Sequence, residues 1–427
     1  MLSFECDYNN GAHPLVLDAL VRHNDARPTP YGFDTYSDHA KDLIRQAVGL
    51  PDAQIFFLTG GTQTNATTID SMLYQYEGVL CVGSGHINVH EAGAVEFTEH
   101  KIITLPDNGD GKLQAAVLDR YLDDYHHDGN RDHAVHPGLV YITFPTEFGT
   151  LYSAQELADI YSVCQRYDLP LYIDGARLGY GLFGEGNDVT LPFLARHCDV
   201  FYIGGTKIGA LCGEAVVFTN RQAHKHFFSI QKQHGAVIAK GALIGLQFEA
   251  LFTPQPSSVS PQPSSVAQGN HTSQLSSLTS HLENTSQLSS LTSHLENISQ
   301  LSSLTSHLEN ISHLSSLTSH LENISQLSSL PSHLEEPLYF SLSRHAITMA
   351  MQLKQLFLRK GFTFYVDSPT NQQFIVLSND LASRLAEHVS FTHFGQTDHH
   401  HTICRFVTSW ATTEEEIQQL EQILDEL

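Results

Sequence analysis

One lysine lies in a loop of small residues between two apolar stretches, in the segment FYIGGTKIGALCGEAVVF. This residue is Lys207. A lone lysine in a loop is usually solvated, but Gly, Thr and apolar strand residues flank this one. Removing an amine from water lowers its pKa, and a neutral amine is what a Schiff base with a carbonyl compound requires. The segment therefore predicts a lysine that bonds covalently to a carbonyl group.

A carboxylate precedes this lysine at the end of another apolar stretch. Asp174 closes LPLYID within the segment LPLYIDGARLG. Open α/β sheets bind ligands at the carboxyl ends of their strands, and a carboxylate buried there needs a cationic partner. Two partners fit: Arg177 in a structural ion pair, or the protonated pyridine nitrogen of pyridoxal 5'-phosphate (PLP), which keeps the PLP ring an electron sink.

A third segment, FLTGGTQTNATT, places Gly60, Gly61 and Thr62 between an apolar strand and a predicted helix. Backbone N–H groups at a helix N-terminus attract anions, so a phosphate suits this turn. The same turn can simply end a strand. The ordered set of Gly60–Thr62, Asp174 and Lys207 is more specific than any of its members, and it predicts PLP as the cofactor.

These residues require a sheet to position them. Apolar runs at 55–58, 79–83, 139–144, 169–174, 199–205 and 214–218 alternate with helix-like segments, which predicts a parallel sheet built through βαβ crossovers. One helix is predicted over 153–167, with Ser153 as N-cap and Glu156 completing a capping box. Residues 1–252 are therefore interpreted as an N-terminal arm and a large cofactor-binding domain.

The composition changes abruptly at Thr253, where a Pro- and Ser-rich stretch leads into five near-identical 13-residue copies of SQLSSLTSHLEN-I/T. The spacing of the apolar positions falls short of the 3.6-residue helical period, and the many serines compete for backbone hydrogen bonds. We expect residues 253–336 to be a disordered, low-complexity insertion. A coiled interaction element is the alternative.

Ordinary sequence resumes near Pro337, with a long helix-like segment, the strands QQFIVL and ICRFVTSW, and a terminal helix. This pattern predicts a smaller α+β domain over residues 337–427. The insertion then interrupts an otherwise complete enzyme, and we expect its removal, as 253–335, to leave PLP binding intact.

The chain resembles the threonine aldolase and β-eliminating lyase family of type I PLP enzymes. The likeness rests on DYNNGAHP, YGFDTYS, TGGTQTN, GHINVHEAGA, PTEFGTLYS, IDGARLG, GGTKIG, TNQQF and ICRFVTSW. It implies an aspartate-aminotransferase-like fold, with a mixed, mainly parallel sheet in the large domain. It also implies roles for individual residues: Lys207 carries PLP as a Schiff base, Asp174 pairs with the ring nitrogen, His86 stacks on the ring, Gly60, Gly61 and Thr62 hold the phosphate, Thr206 adds a phosphate contact, Arg177 contacts the cofactor or the substrate carboxylate, and Arg405 clamps that carboxylate.

Two residues depart from the family pattern. Glu147, in PTEFGT, stands where better-known threonine aldolases carry a histidine thought to handle the β-hydroxyl proton. Glu147 is expected to do the same work as a catalytic residue, with a structural pairing to an arginine as the alternative. Cys6, in FECDYNNG, stands where many relatives carry a serine near the substrate carboxylate, and it is expected to contact that carboxylate in place of the serine.

Several classes of partner are not expected. A formal net charge of −24 argues against a nucleic-acid binder, and no run of apolar residues is long enough for a membrane span. The six scattered cysteines and the N-terminus without a signal-peptide pattern predict a cytoplasmic protein. His86 and His90 lie four residues apart beside Glu91, and His399–His401 are consecutive, but neither group matches a zinc-protease pattern, so no catalytic metal is expected.

The resemblance implies a carbon–carbon lyase that cleaves β-hydroxy amino acids, most simply threonine into glycine and acetaldehyde. It also implies a homo-oligomer, a dimer or more specifically a tetramer. Two other functions remain open: β-elimination from another amino acid, and a non-catalytic scaffold that displays the repeat.

Overall fold

The computed structural model describes residues 1–255 and 336–427. The predictions for the repeat, that it is disordered or a coiled interaction element, lie outside the described residues. The strands of the described chain are β1 (Leu2–Ser3), β2 (Gln54–Leu58), β3 (Glu77–Val82), β4 (Lys101–Leu105), β5 (His136–Thr143), β6 (Leu171–Asp174), β7 (Val200–Gly204), β8 (Glu214–Phe218), β9 (Pro254–Gln255), β10 (Glu336–Pro337), β11 (Thr363–Val366), β12 (Gln372–Ser378), β13 (Val389–Ser390), β14 (Thr392–Gln396) and β15 (His401–Val407).

The helices connect these strands on both sides of the repeat. They are α1 (Pro14–Arg22), α2 (Thr35–Val48), α3 (Gly61–Met72), α4 (His86–Val89), α5 (Ala115–His127), α6 (Ala154–Arg166), α7 (Leu178–Leu182), α8 (Leu191–Arg196), α9 (Phe227–Gln233), α10 (Ala242–Phe252), α11 (Leu338–Arg359), α12 (Asn379–Leu385) and α13 (Glu414–Glu426), with short 3₁₀ turns at Glu96–Thr98 and Arg131–His133.

A seven-stranded sheet forms the centre of the larger part, in the order β2-β8-β7-β6-β5-β3-β4. The strands β7, β6, β5, β3 and β4 pair in parallel, whereas β8 runs antiparallel to both of its neighbours. Strands β6, β7 and β8 are buried along their whole length, which explains their continuous apolar sequence. The predicted mixed, mainly parallel sheet is confirmed.

Each of the six stretches predicted as strands forms one, with ends shifted by up to three residues. Helix α6 also begins as predicted: Ser153 accepts from the Glu156 backbone N–H and the Glu156 side chain accepts from Ser153. Strand β4 escaped prediction, because it is an edge strand in which only Leu105 is buried.

The C-terminal part is the predicted smaller α+β domain, built on an antiparallel sheet in the order β11-β12-β15-β14. Its two inner strands were predicted and its two partly exposed edge strands were not. Leu2 and Phe4 of the N-terminal arm pack in this domain's core. The Phe4 backbone also bonds to Ser390 and Val407, both at 2.8 Å, so the arm is fastened to the C-terminal domain.

Helix α11 joins the two cores. Leu338 and Leu342 from its first turns pack in the larger core, whereas Leu353 and Phe357 pack in the smaller one. Just before it, β10 pairs antiparallel with β9, which aligns Gln255 with Glu336. The two ends of the interrupted chain therefore lie side by side.

No helix in the described ranges is both long enough and apolar enough to cross a bilayer.

Candidate active site

Three segments of the large sheet bring the predicted cofactor residues to one edge. Strand β6 ends at Asp174, β7 ends at Gly204 just before Lys207, and β2 ends at Leu58 just before α3. Because β2, β6 and β7 point in the same direction, their carboxyl ends share this edge.

Lys207 is half-buried, and the pKa of its amine is lowered. Burial lowers its pKa, and the charge of Arg177 lowers it further, against the opposite effects of Asp7, Glu214 and Asp174. Its Nζ stands 5.8 Å from the centroid of the Tyr8 ring. The Tyr180 hydroxyl donates to the Lys207 carbonyl at 2.6 Å and fixes the backbone of the loop. A lowered pKa leaves more of the amine neutral and nucleophilic, as predicted.

Asp174 is 3% exposed and accepts hydrogen bonds from neutral groups. The Tyr141 hydroxyl donates to Oδ2 at 2.6 Å, the Asn65 amide donates to Oδ2 at 2.8 Å, and the Ala176 N–H donates to Oδ1 at 2.9 Å. Burial raises the pKa of Asp174, but the charge of His86 and these donors outweigh it, so the pKa is lowered and the carboxylate stays ionised.

Arg177 does not pair with Asp174, so that alternative is wrong. Its Nε and Nη2 donate to the two carboxylate oxygens of Asp7, at 2.7 and 3.0 Å. The Asn371 amide also donates to Asp7, at 2.9 Å. This bidentate pair links the N-terminal arm to α7. Two parallel hydrogen bonds make it stronger and more specific in geometry than a single contact between a guanidinium and a carboxylate. Asp174 is left without a lysine or arginine partner within the described residues.

His86 begins α4, and Glu91 holds its ring. The two residues meet at 2.7 Å between His86 Nδ1 and Glu91 Oε1, and the Asn65 amide donates to the same oxygen at 2.7 Å. Asn65 thus joins Glu91 to Asp174. Burial lowers the pKa of His86, but the bond to Glu91 and the charges of Glu147 and Asp174 outweigh burial and raise it. Because Nδ1 is engaged, the ring orientation is fixed.

The chain also offers His86, Glu91 and Asp174 as a possible metal-ligand group, since their ligand atoms lie within 4.8 Å of one another. His86 Nδ1, Glu91 Oε1 and Asp174 Oδ2 are already joined to each other or to Asn65, whereas the buried Glu91 Oε2 has no hydrogen-bond partner among the described residues. The prediction that catalysis needs no metal stays a prediction.

Arg405 lies on β15 with capacity to bind an anion. Its contacts are long, 3.3 Å to Gln372 and 3.4 Å to Thr392, and its buried Nε has no partner in the described chain. Burial lowers the pKa of Arg405, and the charge of Arg177 adds to this effect. A half-buried guanidinium with an unused donor suits a substrate carboxylate.

Glu147 is half-buried and lies close enough to act on several of these groups. Its charge raises the pKa of His86 and Arg177 and acts in the same direction on His90 and Arg405. The His90 and His86 ring centroids are 5.5 Å apart. Glu147 is therefore near enough for its charge to act on both histidines, and the described residues contain no ion pair of Glu147 with an arginine.

The turn predicted to hold phosphate opens α3. Gly60 is the N-cap and Gly61 the first helical residue, and no side chain caps this end. A Cβ on Gly60 would meet nothing within 4 Å, whereas one on Gly61 would approach the Tyr202 hydroxyl to 3.2 Å. The uncapped N–H groups at Gly61 and Thr62 are the donors that a phosphate needs.

Two predicted contacts look different in the structure. The Thr206 hydroxyl donates to Glu214 at 2.9 Å, so its hydrogen is not free for a phosphate. Cys6 is half-buried as a free thiol beside Asp7, and no hydrogen bond within residues 1–255 and 336–427 joins it to another site residue.

The residues present fit PLP. A buried ionised carboxylate without a lysine or arginine partner suits a pyridinium, the uncapped start of α3 suits a phosphate, and a half-buried lysine of lowered pKa lies at the same sheet edge. Fold and site together define an enzyme of the aspartate-aminotransferase-like class that holds PLP.

Comparison with known proteins narrows this class. The model of the beta-eliminating lyase family matches residues 23–313, more than half of the chain, and the chain belongs to this family. A low specificity L-threonine aldolase from a Pseudomonas species is 31% identical over 242 residues, which cover 56% of this chain and 67% of the relative.

Solved structures agree with this assignment. Threonine aldolase from Leishmania major has a TM-score of 0.77 at 31% identity and covers 100% of this chain and 99% of its own. Aspartate aminotransferase from Thermus thermophilus has a TM-score of 0.59 at 11% identity, covering 100% of this chain and 91% of its own, which supports the fold alone. The predicted family and fold are both confirmed.

Sequence reasoning missed several residues that organise the site. Asp7 stood beside Cys6, and Asn65 is an asparagine in the interior of a predicted helix, an unfavourable position that signals a specific contact. Glu214 was visible as an acid at the start of an apolar strand. Tyr141 carried no signal, since a tyrosine inside an apolar strand is ordinary.

Proposed function

We propose that the chain is a PLP-dependent lyase that cleaves the Cα–Cβ bond of β-hydroxy amino acids, with threonine giving glycine and acetaldehyde. One observation carries the proposal: Lys207, with its lowered pKa, and the ionised Asp174 lie at one sheet edge of a chain 31% identical to a threonine aldolase. When bound, PLP supplies the electron sink for the pair released from the broken bond.

The remaining site residues receive roles consistent with their surroundings. Asp174 keeps the ring nitrogen protonated, because a negative charge beside that nitrogen favours its charged form. His86, held by Glu91, stacks on the ring and fixes its plane. The start of α3, at Gly60, Gly61 and Thr62, holds the phosphate. The Thr206 hydroxyl stays bonded to Glu214.

Arg405 is proposed to bind the substrate carboxylate. Its buried Nε is unpartnered and its other contacts are 3.3 and 3.4 Å long, so a carboxylate gains strong hydrogen bonds there at little cost to existing ones. Arg177 already gives two donors to Asp7. It is therefore assigned to holding the N-terminal arm and shaping the site, with Cys6 nearby on that arm.

Glu147 is proposed to accept the β-hydroxyl proton. It is half-buried, and its charge acts on His86, His90 and both arginines. Arg405 anchors the carboxylate of the substrate amino acid, and a carboxylate placed like that of Glu147 can then take the proton from the substrate's β-hydroxyl.

The experiment compares wild type with Lys207→Ala. Wild type should show a visible absorbance band that borohydride reduction fixes on Lys207, and the variant should lose it. The exposed Lys225→Ala is the matched control and should keep the band. If wild type shows no reducible chromophore, the lyase proposal fails, and the non-catalytic scaffold is the remaining function.

Product analysis separates the two lyase reactions. Threonine should yield glycine and acetaldehyde in equal amounts. Release of ammonia and a 2-oxo acid in their place would identify β-elimination and overturn the carbon–carbon cleavage.

We further propose that the chain acts as a homo-oligomer, a dimer or tetramer, in the cytoplasm. Large apolar side chains on the surface support the first part, among them Phe97 at 90% exposed and Phe33 at 61%. The six free cysteines agree with a reducing compartment. Light scattering of the purified protein should give a mass of two or four chains, and a monomer would contradict the proposal.

A further inference from the structure

Glu214 is a buried carboxylate with no role in the chemistry above. It is the first residue of β8, it is 4% exposed, and the rest of that strand is apolar. Placing a carboxylate in such surroundings is costly unless its oxygens are satisfied and its charge has a function.

Both oxygens of Glu214 contact the turn that leads into Lys207. Oε2 accepts from the Gly205 N–H at 3.2 Å, and Oε1 accepts from the Thr206 hydroxyl at 2.9 Å. The strand register explains this placement, because Glu214 pairs with Gly204, the last residue of β7. The carboxylate thus grips the two residues immediately before the reactive lysine.

The charges of Glu214 and Lys207 also act on each other. Burial raises the pKa of Glu214 to about 7, although the positive charge of Lys207 opposes this rise. In return, Glu214 raises the pKa of Lys207 against burial and Arg177. The other charged groups that face this pair are Asp7 on the arm and Asp174 on β6.

Two titratable tyrosines near Glu214 are uncharged, so Glu214 is the charged group on its own side of the Lys207 loop. Tyr202 and Tyr339 respond to its charge, and burial raises the pKa of both. Both tyrosines therefore stay neutral. Among the described residues, no lysine or arginine nitrogen lies within ion-pair distance of Glu214.

We propose that Glu214 is a positioning residue for Lys207. Glu214 fixes the loop through Gly205 and Thr206, and its charge stabilises a proton on the Lys207 nitrogen, both before and after that nitrogen is joined to PLP. The inference rests on the proposed function, since it concerns the nitrogen that carries the cofactor. A merely structural carboxylate would fix the turn without affecting protonation.

The test measures the pH at which half of the visible band of the PLP-loaded enzyme is lost, here called the midpoint. In Glu214→Gln the shape is kept and the charge removed, so the midpoint should fall by about one pH unit or more. In Glu214→Asp the charge is kept, so the midpoint should stay within about 0.3 unit of wild type while PLP binds more weakly. A midpoint unchanged in Glu214→Gln, with PLP fully bound, overturns the inference.

Thr206→Val keeps the test decisive if Glu214→Gln does not fold. Loss of the hydroxyl removes a donor that favours the ionised Glu214, so the midpoint should shift in the same direction by a smaller amount. An unchanged midpoint in Thr206→Val would then overturn the inference. Failure of wild type to show a reducible band on Lys207 would instead overturn the proposed function, so the two failures are distinguishable.

Discussion

Two arginines belong to the proposed site, and the difference in their hydrogen bonds indicates different roles. Arg177 is fastened to Asp7 through two donors, whereas Arg405 has a buried donor without a partner. Replacing the guanidinium of Arg177 breaks a buried ion pair. Replacing the guanidinium of Arg405 changes the stability of the protein little and affects mainly the binding of the substrate.

Arg405→Lys should raise the KM for the amino acid by roughly 10- to 100-fold, because a charge-assisted hydrogen bond contributes about 1.5–3 kcal/mol. Its melting temperature should match wild type. Steady-state kinetics and thermal melting test both statements, with the exposed Arg384→Lys as the control. Arg177→Lys should instead lower the melting temperature. The reverse pattern would exchange the two assignments.

The His86–Glu91 pair predicts a particular dependence of stability on pH. Burial raises the pKa of Glu91 above 4.5. Burial lowers the pKa of His86, but the bond to Glu91 and the charges of Glu147 and Asp174 outweigh it and raise this pKa above 6.5. A group whose pKa rises on folding contributes stability that is complete below its unfolded pKa and is lost as the pH rises through its folded pKa.

The melting temperature of wild type should therefore fall more steeply than that of Glu91→Gln as the pH rises from 4.5 through 6.5 and above, since the variant removes the titration of Glu91 and one of the three groups that raise the pKa of His86. Parallel melting scans at several pH values measure the two slopes. Equal slopes would show that this pair does not titrate with folding.

At the scale of elements, two glycines allow the carboxyl ends of β6 and β7 to meet. A Cβ on Gly175 would lie 1.8 Å from the Tyr202 carbonyl oxygen, and one on Gly204 would lie 2.3 Å from that of Ala176. The Gly204 N–H donates to the Gly175 carbonyl at 3.0 Å across the same gap. This approach places Asp174 and the Lys207 loop at one point of the sheet edge.

Gly175→Ala should therefore destabilise the protein by at least about 2 kcal/mol and abolish PLP binding, because backbone atoms cannot move aside as a flexible side chain can. Gly129→Ala is the matched control, since its Cβ would meet nothing within 4 Å. Chemical unfolding and PLP titration report the two effects. Normal PLP binding in Gly175→Ala would show that the strand ends can separate without loss of the site.

At the scale of the whole molecule, the N-terminal arm, the large sheet and the C-terminal domain meet at the site. Asp7 joins Arg177 of the large part to Asn371 of the C-terminal part. The repeat interrupts this arrangement between β9 and β10, whose pairing holds the flanking residues together. We propose that the repeat is an insertion that neither the fold nor PLP binding requires.

Replacing residues 256–335 by a short Gly-Ser linker should leave PLP affinity unchanged and the melting temperature within about 3 °C, because loop-closure free energy changes only by about 0.6 kcal/mol per doubling of length. The longer deletion of 253–335 removes β9 and should be less stable. Loss of PLP binding with the shorter replacement would make the repeat part of the functional structure.

The sequence by itself determined six strands of the large sheet, the two inner strands of the smaller sheet, the capping box of α6 and the segments that carry Gly60–Thr62, Asp174 and Lys207. These are local features: apolar runs, turn residues and caps are read within a few positions. The edge strands β4, β11 and β14 were missed because a partly exposed strand lacks a strong apolar pattern.

Only the tertiary structure decided which groups meet. Asp7 and Arg177 are 170 positions apart, and Asp7 and Asn371 are 364 apart, so no local pattern could pair them. The same holds for Asn65, which links Asp174 to Glu91, and for Glu214, whose strand register places it beneath the Lys207 loop. Composition can show that a buried charge needs a partner, but strand order and register determine which residue that partner is.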